Sequence, residues 1–232
     1  MSYSKKIKVP YMLCDRYKNL SIRNLISIMA DISLNHSYIL EKDMDMAKYR
    51  WIVYSWDVEI INAIRENDQI QVSTHVVGMN KFYAHRNFSI KRDGEIIVKA
   101  YGVFLLVDID RMRPVKMMPE LIETYKRDEK IYEKPSITYI KDFDESKEII
   151  VRYTDIDSNF HVNNAVYFDY INDLCKFDIK DIKFFNIVYK NEIRNKKVLI
   201  GEYKKLNREI DYRLRSTEDN TIYSYGKIIK NV

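Results

Sequence analysis

"VPYMLCDRYKN", residues 9–19, lies over "VRYTDIDSNFH", residues 151–161, at a shift of 142 residues. Val9 meets Val151, Tyr11 meets Tyr153 and Asp15 meets Asp157. Three identities in eleven are weak alone. The order of elements after each copy adds support, because each is followed by a capped helical pattern and then by strand-like segments.

After the first copy, Ser21 is placed to cap a helix running to about Leu40, its side chain accepting from first-turn N–H groups. Leu25, Ile28, Met29 and Ile32 recur at helical spacing, with Asp31, Asn35 and Lys42 on a polar face. Residues 51–61, 68–79, 83–92 and 95–108 are rich in β-branched and aromatic residues, and "RDGE" at 92–95 supplies an Asp-Gly hairpin turn. Residues 111–130 follow as a strand end, a Pro-led short helix and a charged connector.

After the second copy, Asn163 or Asn164 can cap a helix to about Lys176. Residues 184–193, 197–207, 208–217 and 221–230 are again strand-like, and 147–157 reads as an extended lead-in. Charge rises and apolar periodicity lapses between 130 and 145. The expected domains are therefore 1–135 and 136–232. A long helix wrapped by a curved antiparallel sheet, twice over, is the α+β architecture of a tandem hotdog fold.

Composition narrows the function classes. The 232 residues are 46% apolar, as in ordinary globular proteins. Net charge is +5, which suits an acidic partner. No run of Lys and Arg argues for nucleic acid, and "RNKK" at 194–197 reads as a solvated turn. Cys14 and Cys175 lie outside any CxxC and are too few for a disulfide scaffold or a zinc site. They fit a reducing compartment. "MSYSKKIKVPYML" lacks a signal-peptide core. No stretch approaches the roughly 20 apolar residues of a membrane helix. A cytoplasmic protein with no membrane or nucleic-acid partner is expected.

"YTDIDSNFHVNN", residues 153–164, concentrates the reactive side chains. Starting at Asp155 it imitates an EF-hand, but the positions for Gly and the closing Glu hold Phe160 and Val166, so calcium is excluded. A structural turn accounts for Asn163, Asn164 and Asp155, since Asp and Asn bond their own backbone and cap helices. A chemical role is the third alternative. Asp157, Asn159 and His161 are two apart, so an extended segment would project them to one face. A carboxylate, an amide and an imidazole can together activate water.

"DIDSNFHVNNAVYFDYI" resembles the signature of the acyl-acyl-carrier-protein thioesterases, D-x-N-x-H-V-N-N followed by a helix. The chain matches it at Asp157, Asn159, His161, Val162, Asn163 and Asn164. Residues 78–120 resemble the family's first-domain hairpins, and "YKNEI" at 189–193 places Glu192 in its Y-x-x-E context. The resemblance implies a tandem hotdog, a catalytic set of Asp157, Asn159, His161 and Glu192, and no metal or organic cofactor. The substrate implied is an acyl group on acyl carrier protein. The first domain, the N-terminal hotdog, would hold much of the acyl chain, with Met29, Ile32 and Trp56 as candidates for lining. The C-terminal hotdog would be catalytic.

Many plant members carry a Cys after the Glu. Here that position is Ile193, so a Cys–His mechanism has no nucleophile at this site. Backbone N–H groups near Val162 to Asn164 are expected to receive the oxyanion. Arg194, Lys196 and Lys197 are candidates for meeting the acidic carrier. Tyr17 and Asn19 occupy the places of Asn159 and His161 in the first copy, so only the second half is expected to keep the chemistry. His36, near the end of the first helix, reads as a cation suited to the helix dipole. His75 and His85 read as structural or surface residues, and Cys14 and Cys175 as packing. An acyl-CoA thioesterase and a non-catalytic acyl-binding hotdog protein remain as alternatives, as does a homodimer.

Overall fold

The computed structural model of the chain describes residues 2–125, 140 and 142–231. The domain boundary expected at 135/136 lies outside the described residues. The first half runs β1 (Ser2–Lys8), α1 (Ile22–Leu40), β2 (Tyr49–Ile60), β3 (Gln69–Met79), β4 (Tyr83–Arg92) and β5 (Glu95–Asp108). A two-residue β6 (Arg113–Pro114) and α2 (Pro119–Thr124) end it. The second half runs β7 (Glu145–Ile150), α3 (Tyr167–Cys175), β8 (Ile182–Tyr189), β9 (Val198–Leu206), β10 (Glu209–Ser216) and β11 (Ile222–Lys230).

The strands form one antiparallel sheet in the order β1-β3-β4-β5-β2-β8-β11-β10-β9-β7, with β6 pairing β5. The order is its own mirror image. β7 takes the place of β1, and β9, β10, β11 and β8 those of β3, β4, β5 and β2. The halves join where Ser55–Glu59 of β2 pairs with Phe184–Val188 of β8. This is the tandem hotdog, built as a single continuous sheet.

Local chemistry explains the elements. Ser21 Oγ accepts the Asn24 N–H at 3.3 Å, and α1 buries Ile22, Leu25, Ile26, Met29 and Ile32. In β3, Ile70, Val72, Thr74 and Val76 alternate inward. Asp93 and Gly94 both have positive φ (53° and 85°), as a two-residue type I′ hairpin requires. Pro119 opens α2 at the position where its missing N–H costs nothing.

The second half departs from expectation at its lead-in, at its helix and at β8, which ends at Tyr189 and not at Ile193. The lead-in strand ends at Ile150, and Tyr153–Asp155 coil into a single 3-10 turn. The second helix begins at Tyr167, because Asn163 Oδ1 accepts the Ala165 N–H at 2.9 Å and closes a separate turn ahead of it. α3 therefore has 9 residues against 19 in α1.

The 142-residue shift persists in three dimensions. The 3-10 turns Tyr11–Leu13 and Tyr153–Asp155 correspond, as do the bridges Cys14–Leu20 and Ile156–Val162. Asp15 N–H donates to Asn19 O at 2.7 Å, and Asp157 N–H to His161 O at 2.9 Å. Lys18 and Phe160 share a left-handed φ of 65° and 60°.

The core of the first half contains a buried polar network. Arg86 of β4 lies 2.9 Å from His36 Nδ1 and donates to Ser37 Oγ at 2.8 Å and to the Tyr125 hydroxyl at 3.4 Å. Tyr125 donates in turn to Glu41, which also accepts the Trp51 indole N–H at 2.8 Å. Arginine has no acceptor, so His36 Nδ1 must be unprotonated and the imidazole neutral. The expected helix-end cation is thus a buried neutral base. Burial first, and then the Arg86 charge, lower its pKa from 6.5 to about 4.

A base whose folded-state pKa is depressed makes the folded state refuse a proton that the unfolded chain accepts. Stability should therefore fall as pH drops from 6.5 to about 4 and lose nothing more from this group below that. Urea unfolding across that window should show a smaller loss for His36→Gln than for the parent protein.

Candidate active site

The segment carrying Asp157, Asn159 and His161 is a tight turn, so the condition of an extended segment, under which the three would share one face, is not met. Phe160 adopts the left-handed conformation, and its N–H returns to Asp157 O at 3.0 Å. The Ile156–Val162 bridge closes the turn at its base. Asp157 and His161 therefore converge across a turn instead of by strand alternation.

Asp155 anchors the turn to the helix behind it. Its carboxylate is 2% exposed and accepts from the Tyr170 hydroxyl at 2.6 Å, the Arg152 N–H at 2.8 Å and the Arg152 side chain at 3.1 Å. Burial acts to raise its pKa, but the bonds from Tyr170 and Arg152 outweigh it and hold the carboxyl below the usual range. Asp155 O also accepts the Asn163 N–H at 2.9 Å. Asp155 is thus structural, as the turn account anticipated.

Asp157 Oδ1 accepts the Asn159 N–H at 2.8 Å. Asp15 Oδ1 accepts the Tyr17 N–H at the same distance in the first half, so this bond belongs to the repeated turn. Only in the second half does the carboxylate also face an imidazole, with Asp157 Oδ1 3.7 Å from His161 Nδ1. His161 Nδ1 lies 3.1 Å from Val162 O. A carbonyl accepts only, so Nδ1 carries the proton and the Nε2 lone pair is left for chemistry. Nε2 faces Glu192 Oε1 at 3.7 Å.

Each imidazole nitrogen thus has one carboxylate at 3.7 Å, too far for a direct hydrogen bond but close enough to stabilise an imidazolium. Glu192 reaches this place because Val162 N–H donates to Ile193 O at 3.0 Å, pinning the segment after β8 against the turn. Below, Tyr189 donates to Asn164 O at 2.9 Å and packs edge-on against Tyr167. Burial raises the Tyr167 pKa, and the Glu192 and Asp157 carboxylates add to it, so it stays a neutral phenol.

Two arginines complete the site. Arg194 binds Glu192 Oε2 through Nε at 2.7 Å and Nη2 at 2.6 Å, and Nη1 reaches Asn159 O at 3.3 Å. Arg194, a candidate for meeting the carrier, is thus tied to the site through Glu192 and Asn159. Lys196 is paired with Glu218 at 2.6 Å. Arg50, from the first half, donates to the Asn159 side-chain oxygen. Nothing near position 50 in the sequence signals this contact, 109 residues from Asn159.

Of the backbone donors expected to receive an oxyanion, Val162 and Asn163 are committed to Ile193 O and Asp155 O. Among the described residues, only the Asn164 N–H of that trio carries no such bond. Met29, Ile32 and Trp56 sit in the first-half core, all 0% exposed, with Trp56 packed edge-on against Phe88 and Phe104.

Comparison with known proteins follows the same division. Residues 1–125 match the family model of the acyl-ACP thioesterase N-terminal domain, and residues 139–231 that of the acyl-ACP thioesterase C-terminal domain. No curated protein sequence matches the chain. Among solved structures, an acyl-ACP thioesterase from Bacteroides thetaiotaomicron is 20% identical, with 99% of this chain and 98% of that chain covered and a TM-score of 0.88. The 12:0-ACP thioesterase from Umbellularia californica is 15% identical, with 99% and 97% covered and a TM-score of 0.85. A structure described as an oleoyl thioesterase from Lactobacillus plantarum is 22% identical, with 100% and 96% covered and a TM-score of 0.83. At these identities the structures speak for the fold.

Proposed function

Because the chain belongs to the acyl-ACP thioesterase family, we propose that it hydrolyses the thioester of a fatty acyl group on acyl carrier protein, releasing free fatty acid and the carrier thiol. The observation that carries this reading is the placing of Asp157 and Glu192 at 3.7 Å from the two nitrogens of His161. A water held between Nε2 and Glu192 loses its proton to His161 as its oxygen attacks the thioester carbon. Asp157 and Glu192 stabilise the imidazolium that results. Asn159 and the Asn164 N–H receive the charge on the carbonyl oxygen. The tetrahedral intermediate then expels the thiolate, which takes its proton from His161.

In this reading the first half accommodates the acyl chain along Met29, Ile32 and Trp56. An acidic carrier suits the net charge of +5. The unpaired thiols of Cys14 and Cys175 suit a reducing, cytoplasmic setting. Described residues contain no helix long and apolar enough to cross a membrane.

Carrier and coenzyme A esters share the thioester and differ in the protein surface. Initial rates on matched acyl-carrier and acyl-CoA substrates over a range of chain lengths should give a higher kcat/KM for the carrier ester. A higher value for the CoA ester would assign the protein to acyl-CoA hydrolysis instead.

A further inference from the structure

We propose that Arg50 is a positioning residue that turns the Asn159 amide so that its NH2 group, not its oxygen, faces the thioester carbonyl. The proposal rests on the hydrolytic reading above and assigns a part of that site to the half of the chain that carries none of the other catalytic candidates.

A guanidinium has five N–H donors and no acceptor, whereas a primary amide has an oxygen that only accepts and an NH2 that only donates. The Arg50 side chain meets the Asn159 amide at Oδ1. The opposite orientation would point two donors at a cation, so the contact fixes which end of the amide is which. Nδ2 is left with two protons and, among the described residues, no protein acceptor. Donors of this kind stabilise a developing oxyanion. An amide turned the other way would present a lone pair to the same oxygen and repel it.

The rest of Asn159 is already held. Its N–H goes to Asp157 Oδ1 at 2.8 Å, and its carbonyl accepts from Arg194 Nη1 at 3.3 Å. The main chain is thus fixed from the second half, and the side-chain torsion is set from the first. Arg50 stands at the start of β2, the strand that joins the two halves of the sheet by pairing with β8. β8 leads directly to Glu192. The arginine and the carboxylate thus reach the same turn from the two halves of the chain. The first-half turn has no counterpart amide, because Tyr17 stands in the place of Asn159.

Arg50 is exposed, so a purely electrostatic role toward an acidic carrier is the competing explanation, and it predicts a change in KM. The test is steady-state hydrolysis of one acyl-carrier thioester by the parent protein, Arg50→Ala, Arg50→Lys, Asn159→Ala and the double variant. Positioning predicts that Arg50→Ala lowers kcat by about 10- to 100-fold, less than the roughly 10²–10³-fold loss for deleting an oxyanion donor outright. KM should stay within about twofold, Arg50→Lys should recover part of kcat, and the loss should vanish in the Asn159→Ala background. A raised KM with unchanged kcat, or full additivity with Asn159→Ala, overturns the proposal while leaving the hydrolytic function intact. A parent protein that releases no thiol overturns both.

Discussion

Replacing His161 by alanine should lower acyl-thioester turnover by about 10²–10⁴-fold, the span attributed to a positioned general base, while leaving the fold in place. The ring touches Val162 O through Nδ1 and faces carboxylates through both nitrogens. None of these contacts closes the turn. The turn is closed by main-chain bonds from Asp157 to His161 O and from Val162 to Ile193 O, which alanine retains. The first half gives an internal control, because its matching turn forms with Asn19 in the place of the histidine. Asp157→Ala is the harder variant to interpret, since it also removes the acceptor for the Asn159 N–H. Thermal unfolding alongside the kinetics separates the two cases. A His161→Ala protein that unfolds like the parent but keeps its full rate would remove His161 from the mechanism.

Arg86→Ala should destabilise the protein by about 3–5 kcal/mol, the cost of stripping the cation from a buried polar network that holds a carboxylate. Arg86 is 3% exposed and supplies donors to His36 and Ser37, while Glu41, 9% exposed, would lose the favourable field of the guanidinium. Desolvation pulls the Arg86 pKa down, and the Tyr125 and Glu41 side chains oppose that pull. Lysine cannot reproduce the fork that reaches His36, Ser37 and Tyr125 together, so Arg86→Lys should recover little. Pairing Arg86→Met with Glu41→Gln removes both charges and should regain much of the loss. Denaturant midpoints for the four proteins measure this. A single Arg86→Ala cost under about 1 kcal/mol would contradict the account of a coupled network.

The parts of this fold legible in the sequence are those set by neighbours in the chain. β3, β4, β5 and α1 fall within a residue or two of expectation, because alternation and 3.6-residue spacing are local properties. The start of α3 was not legible. Asn163 and Asn164 both suit a cap, and contacts to Asp155 O and Ile193 O decide that this stretch turns first and coils later. The geometry of the Asp157–His161 turn was half legible: its repeat in the first half was visible, but not its left-handed residue at Phe160. Gly226 marks another long-range demand. A Cβ there would fall 2.0 Å from Asn186 O of the neighbouring strand and 2.4 Å from the Tyr212 hydroxyl, a closeness no local pattern announces. Arg50 is the extreme case, since its partner lies in the other half, 109 residues along the chain. Glu192 could be placed beside His161 only through the resemblance, because 31 residues of sequence say nothing about distance.

In the proposed reaction this site breaks a thioester instead of only holding one. The most direct test is the release of free thiol from an acyl-carrier thioester in excess over the purified protein, followed in time. The account predicts continuous release through many turnovers, with free fatty acid in equal amount and with the release lost in His161→Ala. Tight binding of the acyl carrier with no thiol released would contradict it and would make the protein an acyl-binding hotdog.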